Sequence, residues 1–499
     1  MPKNTVILYN PIPSQNKGHK GVPLSLLAIA APLEKDGYNI KIVDANVEDD
    51  CLPKIFQYIN DALCIGITCM TGHQIKGALE AARAVKDKIP AMPVVFGGWH
   101  PTILPEQTLK NNYVDIVVRG QGESSFRELV EGLKKGAAFD GIKGISYKRQ
   151  EKIISNEDRP LEGINDTYAM PYHLLDDIEK YIYNDWYGDR ILSYVSSFGC
   201  PHKCKFCAEH NMSRGTWKGL SPERVVKEIS DLVKRYRLDG IAFYDSNFFA
   251  SEERVKKICS GIVKSNIRWG NANGTVTRLL KYNPQSWLLM KESGCSEILI
   301  GAESGDNEIL NFIEKGSRAE DIIKLKEVSK PYGIKLWVSL MAGLPYDLSG
   351  AKAPIKRELK ACARLLKGLY KIDKNDRYAL FIYTPYPGTS LYEYSIQNGV
   401  KVPQTLEGWS EFNLNTINIP WVNKKYIKTV EFFSSFIFAH SMPLRQRKDA
   451  RIIKIYKRLF LKICHWVVSY RIRYGFYSLN FEFTLIKFIK NISAGFKVT

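Results

Sequence analysis

Short apolar runs alternate with stretches of helical period from the first residues onward: TVILY, PLSLLAIAAPLEKDG, NIKIVDA, a helical stretch near 52–60, LCIGIT, HQIKGALEAARAVKDKI, PVVFGG, VDIVV and ESSFRELVEGLKKG. Continuous apolar strands separated by amphipathic helices predict a parallel sheet covered on both faces, a doubly wound α/β domain over residues 1–150. Residues 151–187 read as a linker: DRPLEGINDTYAMPYHLL is rich in Pro, Asp and Gly and has no sustained period. A second βα series opens at about 188, with ILSYVSSFG, GIAFYDSNFFA, IRWGNANGTVT, CSEILIGAESG, IKLWVSLMAGLP and RYALFIYTPYPGTS each paired with a helical stretch. About six such units predict a partial (β/α)6 barrel over 188–400, open on one side, with functional groups at the C-terminal ends of its strands. Residues 401–499 are expected to be a helical, basic C-terminal region.

Charge and cysteine usage narrow the class. The chain carries 71 Lys/Arg against 52 Asp/Glu, and residues 421–499 alone hold 16 against 3. In RIIKIYKRLFLKICHWVVSYRIRYGFYSLNFEFTLIKFIK bulky apolar residues alternate with Lys and Arg, as in a helix lying on an anionic bilayer. The plainer reading is that Trp466, Tyr470, Phe476 and Phe483 pack the tail onto the body beneath a solvated charged face; nucleic acid is the least favoured partner. The ten cysteines lack the dense spacing of a disulfide framework. The N-terminus lacks a signal-peptide apolar stretch, and no uncharged apolar run is long enough to span a bilayer. A cytoplasmic location is expected, with peripheral contact at the inner face of the membrane through the C-terminal region.

The chemistry concentrates in CPHKCKFCAEH, which gives Cys200, Cys204 and Cys207 the spacing C-x3-C-x2-C. Closed zinc sites take four protein ligands and typical iron–sulfur clusters four cysteines, so three thiolates on one loop leave a coordination position open. A zinc loop completed by His202 or His210, or three unrelated buried cysteines, is the structural alternative.

At these cysteines the chain resembles the radical S-adenosylmethionine superfamily, which holds a [4Fe-4S] cluster with this motif and gives the open iron to the amino and carboxylate groups of the nucleotide. GVPLSLLAIAAPLEKDGYNIKIVDAN, FGGWHPTILPEQTL and VVRGQGESSFRELVEGL further resemble the Rossmann-like cobalamin-binding domain of the cobalamin-dependent (B12-binding) members, the group of the radical methyltransferases and the anaerobic magnesium-protoporphyrin monomethyl ester cyclase. The resemblance implies three cofactors: the cluster, S-adenosyl-L-methionine and cobalamin. It makes Cys200, Cys204 and Cys207 the catalytic metal ligands, sets Phe206 near the adenine, and brings Asp245, Glu303 and Ser339 toward the nucleotide. Around cobalamin it implies Thr68, Thr71, Gly97, Gly98, Gly120, Gly122 and Glu123. The Asp-x-His-x-x-Gly pattern of many cobalamin proteins is absent, and His19, His73 and His100 have no such setting. Cobalamin would then be bound with its own base displaced and no histidine on cobalt, its lower face covered by loop residues such as Met70 or Thr71. A domain of this fold also serves other nucleotides or none.

Arg278, Tyr383 and Tyr386 are candidate substrate contacts; aromatic rim packing and a surface charge are the plainer reading of the same three residues. For Asp245, at the strand end with Asn247, helix capping competes with a ligand role, and Ser251 or Asn247 could serve only local structure as an N-cap. The implied reaction is methylation of an unactivated carbon of a hydrophobic or natural-product-like molecule by a 5′-deoxyadenosyl radical route. The runner-up is radical oxidation or ring closure of the tetrapyrrole type, and a tRNA-modifying methylthiotransferase is a third. The expected partners are a small-molecule or lipid-like substrate and an external one-electron reductant such as flavodoxin or ferredoxin.

Overall fold

A computed structural model describes residues 3–13, 21–150, 152–162, 168–346, 348, 354–412 and 419–441, and the single residues 466 and 470. It divides into two compact units: residues 1–269 with 384–418, and residues 270–383 with 419–499.

The first unit opens with a seven-stranded sheet: β1 (Thr5–Asn10), β2 (Asn39–Asp44), β3 (Ala62–Thr68), β4 (Val94–Gly97), β5 (Ile116–Val118), β6 (Ile145–Arg149) and β7 (Lys152–Ser155), in the order β2-β1-β3-β4-β5-β6-β7. β1 to β5 run parallel, and β6 and β7 close the edge antiparallel. The strands read as near-continuous apolar runs because helices Leu24–Lys35, Gln74–Lys88 and Glu123–Lys135 cover the sheet; Ile7, Ile65, Ile67, Phe96 and Val117 are buried. The order 2-1-3-4-5 reverses between β1 and β3, and ligands of such sheets sit at that reversal, outside the carboxyl ends of the strands. The hairpin β6/β7 lies at the border of the expected linker. Its turn is made at Gln150, with φ +47°, rather than at the Gly or Asn that would mark a hairpin in the sequence.

Beyond it β8 (Tyr183–Asp185), β9 (Gly188–Tyr194), β10 (Ser197–Gly199), β11 (Trp217–Gly219), β12 (Gly240–Phe243) and β13 (Arg268–Gly270) follow. β9 and β12 are parallel, and the order in their sheet is β13-β12-β9-β8. β10 pairs antiparallel with β11, so the cysteine loop leaves and re-enters a short ribbon. In the second unit β14 (Ala272–Gly274), β15 (Glu297–Glu303), β16 (Lys335–Ala342) and β17 (Arg377–Ile382) form one parallel sheet. Between β13 and β14 only Asn271 intervenes, at φ +57°. Strands alternate with helices in this half of the chain as expected, and the expected third strand, IRWGNANGTVT, is divided at Asn271 into β13 and β14, which lie in separate sheets.

The C-terminal expectation is met only in part by described residues. Helices Leu406–Ser410 and Lys424–Ser441 are present. Trp466 and Tyr470 are exposed and stack on one another at 6.0 Å. The remainder of the basic segment beyond Ser441, with Phe476 and Phe483, lies outside the described residues. No helix among the described residues is long and apolar enough to cross a membrane.

Candidate active site

Ser196 and Ser197 turn the chain from β9 toward the cysteines, and a buried carboxylate holds that turn. Asp245, 3% exposed at the end of β12, accepts from the Ser196 N–H and from both serine hydroxyls, Ser196 Oγ at 2.7 Å. Burial raises its carboxyl above the usual range while Ser197 and Arg254 oppose the shift. Asp245 is therefore committed to the root of the cysteine loop and is not a helix cap. Ser251, whose hydroxyl accepts from the Arg254 N–H, does cap. Gly199, at φ +81°, lets the loop start: a Cβ there would lie 2.2 Å from the Thr216 carbonyl oxygen.

Cys200, Cys204 and Cys207 are all half-buried on the loop that follows. The Cys207 thiol is pushed up to about 11, first by burial and further by Cys204 and Cys200, against the Glu209 N–H that donates to its sulfur. Asn247 Nδ2 donates to Cys200 Sγ at 3.9 Å, and the Cys200 N–H reaches Ser213 Oγ at 3.4 Å. Among the described residues no three His, Cys, Asp or Glu side chains gather tightly enough around one point to hold a single metal ion. A cubane asks for something else, since each thiolate takes a different iron, and three half-buried, partly hydrogen-bonded sulfurs on one loop suit it. Phe206 is half-buried within the same loop. Ser213 and Glu209 carry no spacing signal that marks them in the sequence.

The cobalamin set gathers at the ends of β3, β4 and β5 in the same unit. Thr68 and Thr71 flank the turn after β3. Gly98, at φ +97°, brings the β4 turn so close that a Cβ would lie 2.9 Å from the Cys69 carbonyl oxygen and 3.1 Å from Thr68 Oγ1. The Cys69 N–H donates to the Gly97 carbonyl at 2.8 Å. Gly120, at φ +71°, faces open space and donates its N–H to Thr102 Oγ1 at 3.0 Å. Gly122 leads into helix Glu123–Lys135, where burial raises the Glu123 carboxyl against hydrogen bonds from Gln121 and from backbone amides. The close backbone approach at Gly98, open space at Gly120 and polar side chains at the strand ends fit a large polar ligand carried by an apolar sheet.

The two loop sets meet within the first unit. Helix Trp99–Ile103 packs on helix Glu209–Ser213, and Asp158 pairs with Arg119 at 2.7 Å and Arg214 at 2.6 Å. The segment after Tyr383 crosses both: the Leu391 N–H donates to the Lys205 carbonyl at 3.0 Å, Asn211 Nδ2 to the Gly388 carbonyl, and Trp409 Nε1 to Gln107 Oε1 at 2.6 Å. Tyr386, on this segment, is 47% exposed.

The second unit brings Glu303 and Ser339 to neighbouring strands. Glu303, 5% exposed, sits at a bulge between β15 and β16 with φ +60°, a strained backbone for a residue with a Cβ, and its Oε1 pairs with Lys315 Nζ at 2.9 Å. Gly301 lies beneath it, where a Cβ would crowd the Glu303 carboxylate and Lys315 Nζ. Ser339, half-buried, lies opposite Gly301 of β15 and Ala379 of β17. Arg278 is exposed on helix Val276–Leu279. Tyr383 is only 2% exposed, its N–H donating to the Ala342 carbonyl, so it packs the end of β17 instead of lining an open surface.

Comparison with known proteins gives the family. The B12 binding domain model matches residues 15–130, and the Radical SAM superfamily model matches residues 194–348. An uncharacterized methyltransferase of Pyrococcus horikoshii is 33% identical over 389 residues, 77% of this chain and 80% of its own. The anaerobic magnesium-protoporphyrin IX monomethyl ester cyclase of a Synechocystis species is 24% identical over 420 residues, 82% of this chain and 80% of its own. Among solved structures, the radical S-adenosylmethionine methyltransferase TsrM of Kitasatospora setae, with cobalamin and a [4Fe-4S] cluster bound, superposes with a TM-score of 0.63 at 18% identity, covering 80% of this chain and 76% of that one, and so shares the fold. The chain belongs to the cobalamin-dependent radical S-adenosylmethionine enzymes, whose cofactors are cobalamin, a [4Fe-4S] cluster and S-adenosylmethionine.

Proposed function

We propose that this enzyme transfers a methyl group to an unactivated carbon of a hydrophobic or natural-product-like small molecule, drawing electrons from an external one-electron reductant such as flavodoxin or ferredoxin. The observation that carries the reading is the presence, in one compact unit, of three half-buried thiols on a single glycine-rooted loop and of the strand reversal of a B12-type sheet. When loaded, these sites supply a 5′-deoxyadenosyl radical and a methyl donor. The chain's own task is binding, orientation and exclusion of water.

Cys200, Cys204 and Cys207 hold the cluster. Asn247 and the Glu209 amide donate to their sulfurs and tune its potential. Asp245 keeps the loop's root in place through Ser196 and Ser197. By the family resemblance Phe206 would serve the adenine, and Glu303 and Ser339 would serve the ribose and amino groups, a carboxylate suiting vicinal hydroxyls and an ammonium. Thr68, Thr71, Gly97, Gly98, Gly120, Gly122 and Glu123 would line the corrin. Tyr386, exposed on the segment that crosses both loop sets, is the better substrate contact, and exposed Arg278 is second. The basic C-terminal segment supports a lipid-like substrate met at the inner face of a membrane. The domain boundaries that serve this reading are 1–150, 151–187, 188–400 and 401–499.

Anaerobic protein reconstituted with iron, sulfide, hydroxocobalamin and S-adenosylmethionine, reduced in the presence of candidate substrates, is expected to yield 5′-deoxyadenosine and S-adenosylhomocysteine together. Cys204→Ala should abolish both products and the brown chromophore. Deoxyadenosine without S-adenosylhomocysteine would favour the second reading, oxidative ring closure, which the similarity to the cyclase over four-fifths of both chains supports.

A further inference from the structure

Two buried side chains outside the expected cofactor set grip the turn that follows β3. Gln74, the first residue of helix Gln74–Lys88 and 5% exposed, uses both ends of its amide. Its Oε1 accepts the Met70 N–H at 2.8 Å, and its Nε2 donates to Asn10 Oδ1 at 3.0 Å and to the Pro11 carbonyl at 2.9 Å. Asn10 in turn donates to Asp44 Oδ1 at 2.9 Å, so the turn is tied to the ends of β1 and β2 beside the strand reversal. From the other side His100 Nδ1 lies 3.0 Å from Thr71 Oγ1, and the His100 N–H donates to the Cys69 carbonyl at 3.2 Å.

The His100 ring is wholly buried and edge-on to Trp409 at 5.6 Å. Burial brings its pKa down to about 4, so it is a neutral imidazole at neutral pH. Its Nε2 has no partner among the described residues. Buried polar networks of this kind specify one geometry, because each broken bond strands a group away from water. What the fixed turn displays is Met70, an apolar side chain 50% exposed at the reversal point.

We infer that Gln74 and His100 are positioning residues of the cobalamin site: together they hold the Met70–Thr71 turn so that the Met70 thioether faces the lower side of the corrin while the nearby imidazole is kept from cobalt. This rests on the cobalamin reading above and adds to it the residues that set the lower face. An imidazole on cobalt would stabilise its higher oxidation states; a thioether floor leaves the metal to react.

The test is electron paramagnetic resonance of cob(II)alamin bound to the full chain, with hydroxocobalamin affinity measured in parallel. Wild type is expected to show no nitrogen splitting from a protein ligand. Met70→His should add the three-line splitting of one coordinated imidazole nitrogen. Adding Gln74→Leu or His100→Phe to that variant should blur or remove the splitting, and each alone should weaken cobalamin binding about tenfold, the effect of roughly one lost hydrogen bond. His100→Asn, which can still reach Thr71, should restore affinity where His100→Phe does not. Far-ultraviolet circular dichroism and cluster absorbance unchanged from wild type certify the fold of each variant. A folded Met70→His protein that binds cobalamin without nitrogen splitting overturns the placement of Met70. Unaltered affinity and splitting in the Gln74 and His100 variants overturn their role. Wild-type protein that retains no cobalamin after desalting would instead sink the cobalamin reading itself.

Discussion

Glu358, on helix Pro354–Ile372, lies beneath the turn at Gly343 with 3% of its surface exposed. Its Oε2 accepts the Gly343 N–H at 3.0 Å and the Tyr426 hydroxyl at 2.8 Å, so one carboxylate joins the end of β16 to helix Lys424–Ser441. Burial lifts its pKa from 4.5 to about 7, with Asp306 adding a smaller push and the amides of Gly343 and Leu344 and the Tyr426 hydroxyl resisting. Between these two values the folded chain keeps a proton that the unfolded chain has released. Its contribution to stability is thus complete below about pH 4.5 and is lost as pH rises through 7. Glu358→Gln keeps an acceptor for Gly343 and Tyr426 and has no proton to lose. Across pH 5 to 8 the variant should gain on wild type in denaturant unfolding by an amount approaching roughly 3 kcal/mol. Parallel stability curves for the two proteins would show that Glu358 ionises as an exposed carboxyl does.

At the scale of elements, the instructive one is the return of the chain after Tyr383 to the first unit. Helix Leu406–Ser410 is too short to stand alone and is held by what it buries. Trp409, 1% exposed, packs its ring 4.6 Å from Phe412 and 6.5 Å from Tyr392, and joins the core that includes Ile75, Ala78 and Leu109. Trp409→Ala should cost about 3–5 kcal/mol by denaturant titration and open residues 384–418 to protease. Trp409→Phe keeps much of the ring contact and loses the bond to Gln107, so its cost should fall to about 1–3 kcal/mol. Equal protease resistance in all three proteins would mean that the segment is held elsewhere. None of this packing was legible in the sequence, because Trp409 and Gln107 stand 302 residues apart and neither has a periodic signature. The ribbon β10/β11 was hidden for the same reason: its strands are three residues long, and Gly199 announces only a turn. The parallel sheet and the cysteine loop were legible because their signals are local, apolar runs of strand length and a three-sulfur spacing. The turn after β3 could be read as a crevice loop, but the hold of Gln74 on it could not, since an amide at a helix start carries no pattern that points back to Asn10.

At the scale of the whole molecule, charge is the property most unevenly distributed. Residues 421–499 hold 16 of the 71 basic residues and only 3 of the 52 acidic ones, interleaved with aromatic and branched apolar side chains. Of this region's last described residues, Trp466 and Tyr470 are exposed and stack on one another. A basic, aromatic segment meets an anionic bilayer through two contributions of different range. Rings insert at the headgroup boundary, and each Lys or Arg near the surface adds about 1 kcal/mol that fades within a Debye length of roughly 10 Å at 0.1 M salt. Full-length protein should therefore sediment with vesicles containing phosphatidylglycerol at low salt, lose most of that binding between about 0.05 and 0.5 M sodium chloride, and ignore vesicles of phosphatidylcholine alone. Trp466→Ser with Tyr470→Ser should weaken binding at every salt concentration while leaving the salt slope unchanged, because the rings contribute apolar area and no charge. Binding that is indifferent to salt and to lipid charge would assign the basic residues to solvation and leave the enzyme to meet its substrate in water.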